Sequence, residues 1–81
     1  MTAADPVAAL RQCFERIGPT AVKHDDGRFG VLWFSGVAGR PLAVFPRAGY
    51  PGLLDAIRQP VRPELCFARF EDVADAGWRL D

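Results

Sequence analysis

Between residues 5 and 17 the apolar positions Val7, Leu10, Phe14 and Ile17 recur at spacings of three and four, with Arg11, Gln12, Glu15 and Arg16 on the opposite side. That period belongs to an amphipathic helix. Asp5-Pro6 opens it, because the carboxylate accepts free backbone N–H bonds and proline loses nothing in the first turn; Gly18-Pro19 closes it. Cys13 borders the apolar stripe.

Beyond Gly18 the pattern changes to short apolar runs separated by turn residues. Residues 20–24 and 28–35 read as two strands joined across Asp25-Asp26-Gly27, and Gly36-Val37-Ala38-Gly39 turns the chain into a third strand over residues 40–45. Pro41 carries no ladder donor, which places it at an edge or a departure from the sheet. A two-residue Asp26-Gly27 turn pairs Val22 with Val31, and a tight turn about Ala38 pairs Trp33 with Leu42 and Val31 with Val44. One face then holds Val22, Phe29, Val31, Trp33, Leu42 and Val44, the face expected under the first helix. The other holds Ala21, Lys23, Gly30, Leu32, Phe34, Pro41, Ala43 and Phe45. A three-residue turn would swap Val22 and Lys23 between faces.

Pro46 to Gly52 reads as a loop and Leu53, Leu54 and Ile57 as a short second helix ending before Pro60. Residues 60–63 run extended through two prolines, residues 65–70 form a fourth strand, residues 72–76 a possible helical turn, and Trp78 and Leu80 are terminal apolar anchors. The expectation is one α+β domain over residues 1–81, ordered α-β-β-β-α-β(-α), with a three-stranded antiparallel meander and a fourth strand packed by two helices. The first five elements have the order of double-stranded-RNA-binding domains, but Tyr50 to Asp55 contains no lysine and one acid, and a fourth strand is foreign to that fold.

Composition narrows the function classes. The 81 residues are 49% hydrophobic and 25% charged, with ten basic and ten acidic side chains and formal net charge zero, so no overall field gathers polyanions or anionic lipid. Nine of the ten cations are arginine, and asparagine is absent, which fits a GC-rich gene. No apolar run is long enough for a membrane span and no secretory signal is visible, so a cytoplasmic setting is expected. Cys13 and Cys66 lack metal or redox spacing and are expected to be free, buried thiols.

The candidate chemistry is thin. His24 stands beside Asp25 and Asp26, but three adjacent turn residues cannot surround a metal ion, and a lone histidine next to a turn reads as a solvated strand end. Residues 47–52 offer glycines and Arg47 before a helix without a phosphate-loop or dinucleotide pattern, and Ser35 lacks a nucleophile-elbow setting. Pro60-Val61-Arg62-Pro63 matches a polyproline ligand by spacing and reads better as a rigid crossover.

What stands out is a middle strand apolar on both sides in a chain with two convincing helices. One apolar face is expected to serve as an interface unless the C-terminal segment folds over it. The expectation is a non-enzymatic adaptor or inhibitor without metal or cofactor, docking on a protein partner or its own copy through Leu32, Phe34, Arg40, Phe45 and Arg47. The alternatives are a nucleic-acid-binding regulator using Lys23, Arg28, Arg40 and Arg47 with Trp33 or Phe34 to stack, and a small-ligand or enzymatic domain around His24 and residues 47–52.

Overall fold

A computed structural model of the protein describes residues 5–47 and 53–81. Helix α1 (Pro6–Ile17) starts where expected: Asp5 caps it, its side chain accepting the Val7 N–H at 2.9 Å, and Gly18 ends it at φ 80°. Strands β1 (Thr20–His24), β2 (Phe29–Val37) and β3 (Arg40–Arg47) form the meander. Helix α2 (Leu53–Ala56) and a 3-10 turn (Pro63–Leu65) lead to β4 (Cys66–Phe67), then α3 (Phe70–Asp75) and β5 (Trp78–Leu80). The five strands make one antiparallel sheet in the order β4-β3-β2-β1-β5, so the α+β class holds. Among the described residues no helix is long and apolar enough to cross a membrane.

Trp78 and Leu80 anchor the end of the chain as expected, Trp78 in the core and Leu80 packed against it, but as a fifth strand at the edge of the sheet rather than as a segment folded over a face, with Val22 opposite Leu80 and His24 opposite Trp78. The expected strand over residues 65–70 shrinks to two residues. Pro63 opens a 3-10 turn that uses Leu65, and Phe70 begins α3, whose first turn carries Glu71 and Asp72 against the helix dipole.

Both hairpins shift the expected register by one residue. In the first, the His24 N–H donates to the Arg28 carbonyl at 2.8 Å and the Gly27 N–H to the His24 carbonyl at 3.0 Å, so the loop is Asp25-Asp26-Gly27. Gly27 takes φ 97°, which completes a three-residue hairpin. In the second, Ala38-Gly39 joins the Val37–Arg40 pair, while Ser35 and Gly36 together oppose Pro41. This is a β-bulge. Proline cannot supply the missing rung, and the Ser35 hydroxyl replaces it, donating to the Arg40 carbonyl and accepting the Val37 N–H at 2.9 Å.

These shifts redistribute the faces. Thr20, Val22, Leu32, Phe34, Leu42 and Val44 share the face under α1 and α3, and the core there contains Leu10, Phe14, Val73 and Trp78. Val31, Ala43, Phe45 and Cys66 lie on the other face, packed by Ala56, Ile57 and Val61. Val31 and Trp33 therefore do not sit beneath α1 as expected, and Leu32 does. Trp33 lies where β1 has not yet begun, and its ring reaches both clusters beside the Gly18 corner. The second face is covered over β3 and β4; on β1 and β5, Lys23 and Arg79 remain in solvent.

Candidate functional site

The expected docking residues divide into two groups. Leu32 is wholly buried under α1, and Phe45 is 3% exposed beneath the segment that follows α2, so neither presents a surface as expected. Arg47 is held inward: its guanidinium meets Asp81 at 2.6 Å and lies 5.6 Å over the Phe29 ring, tying β3 to the end of the chain. Phe34 is 55% exposed and Arg40 is exposed. Both belong to the part of the β2–β3 hairpin that outruns its neighbours, since β1 pairs no further than Leu32 and β4 reaches only Leu42 and Ala43.

Phe34 stands at one end of the molecule among other rings. Phe14 meets it edge-on at 5.2 Å, and Phe70 meets Phe14 in the same manner at 5.5 Å. With Pro41 and Leu42 these rings line an open groove of about 450 Å3 between α1, the hairpin and the start of α3. Its rim carries Arg11 paired with Glu71 at 3.4 Å and Arg69 paired with Asp72 at 3.5 Å. Glu15 also borders it and has no ion-pair partner among the described residues. Ile17, 63% exposed, lies one helical turn beyond Phe14, and Val37, 42% exposed, stands three residues beyond Phe34. Phe14 is buried in the core, as its helical spacing reads, and also lines the groove, whereas half-buried Phe70 was expected in a strand. The Glu71-Asp72 pair after Phe70 was the available sign of a helix start.

A second cleft, of about 540 Å3, opens at the other end of the strands between the first hairpin and residues 59–65, over Trp78, Leu65 and Pro46. Its cations are largely answered. Arg28 meets Asp26 at 2.7 Å and lies 5.3 Å over Trp78, and Arg47 meets Asp81, while Arg62 and Glu64 line the same wall without an ion pair between them. The Arg28 backbone N–H is the largest influence holding the Asp26 carboxylate below its ordinary range; desolvation opposes it, and the Arg28 guanidinium adds to the lowering.

The groups with catalytic potential are engaged in structure. His24 is not a solvated strand end: its Nε2 lies 2.7 Å from the Ala76 carbonyl, its Nδ1 accepts the Asp26 N–H at 3.1 Å, and its ring meets Trp78 edge-on at 5.0 Å. It fastens the α3–β5 turn to the first hairpin. The buried Cys66 thiol donates to the Arg62 carbonyl at 3.3 Å, Cys13 is half-buried on α1, and both are free. Among the described residues no three His, Cys, Asp or Glu side chains cluster to hold a metal. Residues 48–52 of the glycine loop lie outside the described residues. The cations of the nucleic-acid reading do not converge: Arg40 is at the hairpin tip, Arg28 at the opposite hairpin, Arg47 is turned inward and Lys23 lies on the open part of the second face. Comparison of the chain with family models, with curated proteins and with solved structures found no match.

Proposed function

We propose that the protein is a non-enzymatic binding module of the cytoplasm that docks on another polypeptide, a protein partner or a second copy, through the aromatic end of its sheet. The observation that carries this reading is Phe34, an aromatic side chain 55% exposed, at the mouth of an apolar groove and on a hairpin that projects beyond the sheet. Leaving such an area in water has no benefit for folding, whereas aromatic side chains in desolvated pockets supply much of the energy of protein interfaces. The engagement of His24, Ser35 and Cys66 in structural hydrogen bonds supports a binding role over catalysis.

A photoreactive aromatic residue in place of Phe34 tests the reading inside cells. It should crosslink to another polypeptide, and the same probe at exposed Leu54 should not. Equal crosslinking from both positions, or none from position 34, would overturn it.

A further inference from the structure

The aromatic end carries both halves of an interface. One half is the hairpin tip, Gly36 to Pro41, kept thin by Gly36, Ala38 and Gly39, with Val37 exposed and with Arg40 lacking an ion-pair partner among the described residues. The other half is the groove of Phe14, Phe34 and Phe70, on whose rim Glu15 is the anion left over once Arg11–Glu71 and Arg69–Asp72 are paired. The charge left over on the tip is opposite to the charge left over on the rim. Tip and groove are adjacent on one chain, so a twofold axis near Phe34 makes both contacts twice, as an isologous interface requires.

We propose that the occupant of the groove is a second copy of this chain: each protomer lays its hairpin tip along the other's Phe14–Phe34–Phe70 groove, with Arg40 against Glu15 of the other copy. This rests on the docking role proposed above and names its partner. The open edge of β5 suits a second copy less well. Antiparallel pairing of two β5 strands about their centre sets Arg79, already paired with Asp25 at 2.7 Å, directly opposite its own copy, and three residues supply few backbone rungs. The exposed apolar centre of the aromatic interface consists of Phe34 in the groove and Val37 on the tip. That is small beside the ~800 Å2 per partner of a standard interface, so the association is weak and concentration-dependent.

Sedimentation over a dilution series tests this on the full chain, with Phe34→Ser, Glu15→Arg, Arg40→Glu and the double variant Glu15→Arg/Arg40→Glu. The wild type should move from monomer towards dimer as concentration rises, and Phe34→Ser should remain a folded monomer. Each single charge reversal should weaken association by roughly tenfold, since two contacts per dimer turn repulsive, and the double variant should restore it. A wild type that stays monomeric throughout, or a double variant no better than the singles, overturns the second copy as occupant. Melting curves on the same samples separate that failure from failure of the docking role. If Phe34→Ser melts as low as Leu32→Ala, Phe34 is a core residue and both readings fall; if it melts well above Leu32→Ala while the wild type is monomeric, only self-association is overturned.

Discussion

Phe34 and Phe45 lie on opposite faces of adjacent strands, and truncating each to alanine separates a surface aromatic from a core one. Phe45 is 3% exposed and packs with Val31, Ala43, Ala56 and Cys66 beneath a cover consisting of one four-residue helix and its extension. Removing a buried phenylalanine costs ~3–5 kcal/mol, a large part of the ~4–12 kcal/mol that a domain of this length possesses. Phe34 buries a little under half of its area, mainly against Phe14 and Trp33. At ~25 cal/mol per Å2 on ~70–110 Å2, and allowing for the β-carbon that alanine keeps, Phe34→Ala should cost about 1–2 kcal/mol. With ~4–8 °C of melting temperature per kcal/mol, Phe45→Ala should fall by at least ~12 °C and Phe34→Ala by no more than about two-thirds as much as Phe45→Ala. Urea denaturation followed by circular dichroism gives the same comparison as free energies. Equal losses in the two variants would refute the assignment of Phe34 to a surface and of Phe45 to the second core.

Gly30→Ala should destabilise by ~1–3 kcal/mol or more in a urea melt, because the added Cβ would lie 2.6 Å from Val44 Cγ1 and 3.0 Å from the Phe45 carbonyl oxygen, and backbone cannot yield as a side chain does; a neutral substitution would contradict the packing at the β2–β3 contact. Ser35→Ala removes the hydroxyl that bridges Val37 and Arg40 across the bulge and should cost ~1–3 kcal/mol, with faster amide exchange at Val37 as its local sign. Because the Asp26 pKa is lowered by folding, its contribution to stability is full above the ordinary carboxylate value and is lost as pH falls through the folded value, so Asp26→Asn should flatten the acid limb of a stability–pH curve. Thiol labelling in native buffer should modify half-buried Cys13 before buried Cys66, and both should react in denaturant; the reverse order would contradict their placement.

The parts of the fold that were legible in the sequence are those set by local chemistry. The Asp5-Pro6 start and Gly18 stop of α1, the three meander strands and the α+β class all follow from caps, glycines and period. What was not legible depends on counting within turns. Gly27 suits either a two- or a three-residue loop, and the bulge at Ser35-Gly36 becomes evident only when Pro41 is seen opposite it, lacking the N–H a regular rung needs. Since strand side chains alternate, each one-residue slip moved partners to the other face, which is how Leu32 came to be expected on a surface and Trp33 under α1; Phe45 keeps its expected face and is buried because Ala56, Ile57 and Val61 cover it. β5 was hidden for a different reason: three residues have no measurable period, and their strand character comes from pairing with β1, more than fifty residues earlier in the chain. Of the docking residues, Phe34 and Arg40 remain on the surface because the hairpin outruns the sheet, a property of relative strand lengths that no short window contains.

The most direct test of the docking surface is a residue-resolved one. Amide chemical shifts of the isotope-labelled protein, followed on dilution from millimolar to micromolar concentration, should change at residues 14–17, 34–41 and 68–71 and remain constant around Arg28, Arg62 and Trp78. Shifts confined to the second cleft, or to the open β1–β5 face, would contradict the account.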